Sequence, residues 1–306
     1  MSIKRSVLAA AVVAAVVPTA ASATDVDVYG RLNLTLQAND IDGESETKIA
    51  SHSSRFGVRG SHEISAGLEA IFQAEWGLNV TKDPAFSNRN QFIGLKGDFG
   101  MTTIGRRDTA LKLSQGKVDQ FNDFDGDLGK IMGGEVRASQ QVSYATPVIA
   151  DLFRAEMTYL TDDANGDHGV SVAATVGDAN YKKQAFYGAV AYDSEVSDRD
   201  ILRITAGGKI AGIELGAMYS DEEVVSSGAQ GDAFLISAAY GFGDTKVKAQ
   251  FIDGDIPGKA NTSYSVGAEH KLSKQLRLNA YFTGLEFDAA DRDDDRYVAV
   301  GLRYDF

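Results

Sequence analysis

Four carboxylates, Asp119, Asp123, Asp125 and Asp127, crowd into nine residues around Phe124 and Gly126, and four guanidiniums, Arg31, Arg55, Arg59 and Arg89, precede them in the chain. Acids held across from guanidiniums set a transverse field over a narrow aqueous gap, and a low-dielectric wall strengthens that field relative to bulk water. By themselves the acids fit a solvated surface loop and each guanidinium a structural ion pair; only where such groups ring an aqueous passage do they bias the ions that pass. Covalent chemistry would instead need a nucleophile, a base and an orienting group at one place. The four histidines, His52, His62, His168 and His270, stand apart from any marked serine elbow, no pair has helical metal-ligand spacing, and cysteine is absent. The chain therefore does not read as an enzyme, and its residues imply no metal or cofactor.

The elements that must position these side chains are strands. Val26, Val28, Gly30, Leu32, Leu34 and Leu36 share one face, while Asp27, Tyr29, Arg31, Asn33, Thr35 and Gln37 share the other. The alternation returns along Leu68, Phe72, Trp76 and Leu78 against Glu69, Gln73 and Glu75, and again along Phe153, Met157 and Tyr159 against Arg154, Glu156 and Thr158. About sixteen such runs start near residues 25, 51, 66, 88, 101, 137, 150, 168, 182, 200, 212, 231, 244, 262, 275 and 296. Short turns such as 96–100, 147–150 and 209–212 alternate with longer polar connections, expected near 39–51, 80–88, 107–136, 161–168, 193–200, 221–231, 254–262 and 288–296. This predicts an all-β, antiparallel transmembrane barrel with apolar side chains on lipid and polar ones around water. Closure removes the edges that so many strands would otherwise expose. A secreted β-sandwich would turn the same apolar face inward. Charges deep within the strands and the number of strands weigh against it. Arg31, Arg55 and Arg59 fall on polar faces, whereas Arg89 shares its parity with Ile93 and Leu95 and is ambiguous.

Residues 1–23 have the form of a secretory leader: Lys4 and Arg5, an apolar run from Val7 to Val17, and a small-residue site at Ala21-Ser22-Ala23. The run is too short for a membrane helix, so residues 24–306 are expected to form a single barrel domain. Without the leader, 28 basic and 43 acidic side chains leave minus 15, which argues against a nucleic-acid partner. The lack of cysteine excludes a disulfide framework. With 32 Gly, 4 Pro, 15 Phe and 12 Tyr, the composition suits strands joined by tight turns. The last run places Val298, Val300, Leu302, Tyr304 and Phe306 on one face.

Several segments, in order, resemble the general diffusion porins of Gram-negative bacteria. They are Val28-Tyr29-Gly30-Arg31-Leu32, Ser54-Arg55-Phe56-Gly57-Val58-Arg59-Gly60, the stretch from Arg89 to Gly97, Phe99-Gly100 to Ile104-Gly105-Arg106, and Val142-Ser143-Tyr144-Ala145-Thr146-Pro147. The resemblance implies a sixteen-stranded outer-membrane barrel, usually a homotrimer, whose third long loop, here Arg107 to Glu135, folds into the lumen. It implies a basic wall cluster that includes Arg89, and a C-terminal Tyr304/Phe306 signal read by the barrel-insertion machinery. Asn122-Asp123-Phe124-Asp125-Gly126-Asp127 is similar to the family's constriction segment, but departs from it at Asn122, where Pro is usual, and at Asp125, where Gly is usual; Ala145 stands where some relatives carry a basic residue. The implied partners are outer-membrane lipid and small hydrophilic solutes and ions, diffusing passively. The overall charge and the inward acids Asp27, Glu69, Glu75 and Glu156 suggest modest cation preference. A substrate-specific channel is the alternative, although inward aromatics such as Tyr29 and Tyr281 are scattered rather than tracked.

Overall fold

A computed structural model describes residues 24–161 and 168–306; the expected leader lies outside these residues. The strands are β1 (Thr24–Ile41), β2 (Glu44–Ser51), β3 (Arg55–Ser65), β4 (Leu68–Leu78), β5 (Phe86–Gly97), β6 (Gly100–Asp108), β7 (Arg137–Ala145), β8 (Phe153–Leu160) and β9 (Gly169–Gly177), followed by β10 (Phe186–Ser194), β11 (Arg199–Ile210), β12 (Ile213–Val224), β13 (Ala229–Phe242), β14 (Thr245–Gly254), β15 (Thr262–Lys271), β16 (Leu276–Glu286) and β17 (Asp295–Asp305). All pair antiparallel with their neighbours in one sheet. β2 runs beside the second half of β1 and β3 beside its first half, so the two occupy one position. The result is a closed barrel of sixteen strand positions, sealed where β1 pairs with β17 from Arg31↔Asp305 to Asp40↔Arg296. Gly30 and Phe306 finish the seam with reciprocal backbone hydrogen bonds of 2.8 and 3.1 Å.

The alternation resolves as apolar side chains outside and polar ones within. Val28, Leu36, Ile93 and Val298 are each more than half exposed on the outer surface, while Asn33, Thr35 and Gln37, on the other face of β1, are buried. No helix among the described residues is long and apolar enough to cross a membrane. The strands therefore do the spanning, with every ladder closed upon a neighbour.

Three expected loops prove to be hairpins, one of them that at 193–200, which shrinks to residues 195–198. Residues 39–51 are almost wholly strand, joined by a tight turn at Asp42-Gly43 with both φ angles positive (52° and 76°). That pair matches the right-handed twist of the flanking strands, which is why Asp-Gly favours it. Between β12 and β13 the expected loop at 221–231 shrinks to residues 225–228.

A bulge settles the parity of Arg89. Ala74 pairs with Gln91 but Trp76 pairs with Asn88, so β5 carries one more residue than β4 between those points. The extra residue shifts the phase. Arg89 consequently points inward to Glu75, at 2.5 Å, while Ile93 and Leu95 still face outward.

Gly30 is fixed by contact, since a Cβ there would come within 2.2 Å of the Phe306 ring. Gly30→Val should therefore cost about 1–3 kcal/mol and lower the temperature at which the folded form of the refolded protein is lost on heated gels. Gly241→Ala, whose Cβ would approach nothing closer than 3.9 Å, is the control. Equal loss in both variants would refute the seam assignment.

Candidate functional site: the segment between β6 and β7 and the wall it meets

The longest connection, residues 109–136, contains α1 (Ala110–Leu113), capped by the Thr109 side chain, and a single 3-10 turn, Leu128–Lys130, capped by Asp127. Its contacts run along the inward faces of successive strands. Leu111 N donates to Ser171 on β9 at 2.9 Å, and Tyr187 on β10 donates to Ser114 O at 2.9 Å. Ser237 on β13 donates to Val118 O, and Gln120 N donates to Gln250 on β14 at 2.7 Å. On the return, Gly133 N donates to Glu222 on β12 at 2.8 Å, and Arg203 on β11 donates to Gly133 O at 2.6 Å. Between these bonds Val118, Leu128, Ile131 and Met132 pack against Met218, Leu235, Ile252 and Leu285. Each such side chain contributes about 1.5–3 kcal/mol on burial, so the segment is held as a small core.

The four acids divide by role in the geometry. Asp119 is buried and accepts from Phe121 N (2.8 Å), Leu128 N (2.9 Å) and Gln250 Nε2 (3.0 Å), which staples the segment to itself and to β14. Burial pushes its carboxyl up to about 6, against those three donors. Asp127 accepts from Gly129 N at 2.7 Å; burial, then the nearby Asp119 and Glu135, raise it well above the ordinary carboxylate range. Asp125 accepts from Tyr281 OH at 2.6 Å and Gln37 Nε2 at 2.7 Å, beside the contact of Phe124 with His52 and Tyr281. Asp123 alone reaches the arginines, pairing with Arg31 at 2.7 Å.

The basic wall brings together three of the four expected arginines. Arg31 also pairs with Asp305 at 2.9 Å, and Glu75 stands between Arg89 at 2.5 Å and Arg55 at 3.8 Å. Arg59 lies apart from this group. It is mostly exposed, pairs with Asp27 at 2.7 Å and covers the Tyr29 ring. Tyr304 and Phe306 stack on the outer surface beside the seam, with ring centroids 6.3 Å apart.

Residues to which the sequence assigned no part in the constriction complete the site. His52 sits in the break between β2 and β3, where Ser53 has φ +50°, and its ring meets Thr35 at 2.8 Å and Gln37 at 3.2 Å. Gln250 and Tyr281 are the principal wall anchors of the segment. One signal for the docking surface was available: Met218, Leu235, Ile252 and Leu285 are apolar at inward positions, where water-facing polar residues would be expected.

A closed antiparallel barrel, greasy outside and charged within, whose longest connection docks against its own inner wall, is the architecture of an outer-membrane channel. The chain belongs to the Gram-negative porin family, which matches it over residues 8–290. It is 27% identical to the major outer membrane protein P.IB of Neisseria meningitidis serogroup A, over 99% of this chain and all of that protein. In fold it is similar to an anion-selective porin from Comamonas acidovorans (TM-score 0.74, 18% identity, 93% of this chain and 100% of that one). It is also similar to the trimer form of OmpT of Vibrio cholerae (TM-score 0.65, 19% identity, 93% and 100%). The protein is thus an outer-membrane porin, of a family whose members are channels rather than enzymes.

Because the Asp119 carboxyl is raised in the folded protein, its neutral form contributes stability that is complete below the ordinary carboxylate range and is lost as pH rises through about 6. The thermal midpoint of the detergent-refolded protein should gain more between about pH 7 and about pH 5 than that of Asp119→Asn. Parallel pH profiles would refute this.

Proposed function

We propose that this porin is a general diffusion channel in which the segment 109–136 narrows the lumen and sieves hydrophilic solutes by size and charge. The observation that carries this reading is the one-sidedness of the segment's attachments. They reach β1, β9, β10, β11, β12, β13, β14 and β16, and among the described residues no hydrogen bond or ion pair from it is found to β3, β4 or β5. An aqueous passage bounded by the segment's Asp123 edge and by the Arg55, Glu75 and Arg89 wall fits that distribution. The closed ring with its exposed apolar exterior also suits a homotrimer of such channels, as in the OmpT trimer form. Tyr304 and Phe306 are the residues we assign as the handle for barrel insertion, a reading supported by their outward stacking beside the seam.

Ion preference is a separate matter from sieving. The modest cation preference suggested by composition gains support from the open end of the barrel, where Asp40, Asp42, Asp288, Asp293 and Asp294 cluster in or beside two connections. The inward acids on which it also rested are each matched: Asp27 by Arg59, Glu69 by Lys96, Glu75 by Arg89 and Arg55, and Glu156 by Arg107. These four acids therefore do not supply free negative charge.

The refolded protein should give stepwise conductance in planar bilayers, and in liposome swelling it should admit small sugars faster than large ones. Replacing Arg55 and Arg89 together by Ser should raise both the conductance and the size of sugar admitted, because two long side chains leave the passage. Absence of conductance steps would defeat the channel reading, and an unchanged sugar series would defeat this location of the sieve.

A further inference from the structure

The outbound limb of the segment passes from β10 to β13 across a hollow in the inner wall. Gly207 on β11 and Gly216 on β12 are direct cross-strand partners, and both fall on the inward face, in line with Arg203 and Thr205 on one strand and Met218 and Ser220 on the other. Glycine inside a strand weakens it and often marks a place where other atoms come close. Here a Cβ on Gly216 would lie 2.7 Å from the Val118 Cβ, and one on Gly207 would lie 3.3 Å from Val118 Cγ1 and 2.2 Å from the hydroxyl of Tyr181. Val118 and Tyr181 therefore share the hollow, one coming from the segment and the other from the connection between β9 and β10.

That connection, residues 178–185, is knotted so as to present the ring. Asp178 accepts from the amides of Asn180, Lys182 and Lys183, each at 2.8 Å, and Tyr181 N donates to Asp178 O at 3.0 Å. The Lys183 amide, then that of Asn180, holds the Asp178 carboxyl down at about 2, so the acceptor of the knot stays charged through the neutral range. Tyr181 itself has φ +55°, a left-handed conformation that a bulky residue seldom adopts unless its surroundings fix it. Lys209 N on β11 donates to Ala185 O at 2.7 Å and secures the exit. Lys182 and Lys183 stay exposed, while Tyr181 is half-buried.

Between α1 and this connection lies a cavity of about 580 Å³, bordered by Leu113 and Ser114 of the segment, Glu156 and Tyr187 of the wall, and Asn180 and Gln184 of the connection. The segment thus has space on its short-turn side, and only a contact at the point where it leaves the β9 and β10 wall can keep it from moving that way. We propose that Tyr181 makes this contact, as a positioning residue that latches the outbound limb in the glycine hollow and keeps the width of the passage constant. The latch rests on the reading of residues 109–136 as the constriction and adds the element that holds them.

The test is single-channel recording of the full mature protein in planar bilayers. Tyr181→Ala should make excursions to other current levels roughly tenfold more frequent, because the lost contact shifts the balance between docked and displaced segment. Tyr181→Phe, which retains the ring, should record as the wild type. Gly207→Ala, whose Cβ would drive the phenol from its seat while leaving the connection intact, should resemble Tyr181→Ala and replaces it if that variant does not refold. Lys182→Ala, next in the chain and exposed, should be silent. Wild-type traces from Tyr181→Ala and Gly207→Ala, or equal disturbance by Tyr181→Phe or Lys182→Ala, would overturn the latch while leaving the channel intact; the constriction itself is judged separately, by the sugar series of the Arg55 and Arg89 variant. Failure of the wild type to conduct at all would instead overturn the channel and the latch with it.

Discussion

A backbone amide or carbonyl in hydrocarbon has no water to turn to, so a spanning sheet must pair every strand on both sides. The ring closes here through β1, which is long enough to pair with β17 on one side and with both β2 and β3 on the other. Gly30 and Phe306 complete that seam at the end where the short turns lie. Once the ring is closed, the pleat decides the rest. Each strand offers alternate residues to lipid and to the interior, and the interior is wide enough that strand side chains alone do not fill it. A segment of the chain has to enter if the lumen is to be narrowed, and an interior apolar patch has to exist to hold that segment.

The inner surface reconciles two demands. Charges must face the lumen to make it hydrophilic, but an unpaired charge beside a low-dielectric wall is costly. Sharing an acid between two cations, as Glu75 is shared by Arg55 and Arg89 and Asp305 by Arg31 and Arg303, meets both demands at those positions. Acids outnumber bases along the chain, yet many of them belong to the connections and strand ends at the open rim, such as Asp40, Asp42, Asp288, Asp293 and Asp294. A net charge is a property of the whole surface; what an ion meets in transit is the local wall.

Much of this architecture was legible in the sequence because the period of two is strict in strands such as β1 and β17, where one face meets lipid and tolerates only apolar residues. The same strictness made Arg31 and Arg55 assignable. Legibility failed where a local device interrupts the period. The Asp42-Gly43 turn is a strong hairpin signal hidden in a polar stretch that resembled a loop. Among the clustered acids, sequence distance could not separate Asp119, which serves the fold of its own segment, from Asp123, which reaches Arg31. Their difference lies in which donors surround each carboxylate, and that is set only when the Leu128 amide folds back and the Gln250 side chain arrives from β14. Arg59 has the parity of Arg55, but it stands two pleat repeats nearer the short-turn end, where Asp27 claims it.

The bulge in β5 shows what such an interruption can achieve. Strict alternation would send Arg89 and Asn90 to opposite faces, and an Arg89 in phase with Ile93 would lie in lipid. With one additional residue opposite Glu75, both can turn inward. Arg89 then meets Glu75, and Asn90 joins Asp108 at 3.2 Å and Arg137 at 2.9 Å, where the docked segment leaves and rejoins the wall. The same phase shift restores Ile93 and Leu95 to the outer face below. β7 uses the device opposite β6, where Gly105 pairs with Gln141 but Arg107 pairs with Ala138 and Gln140 has φ +51°. The two bulges flank the strand from which the segment departs. By delivering consecutive polar side chains to one side, they furnish more inward polar contacts at the hinge of that segment than regular strands of equal length could supply.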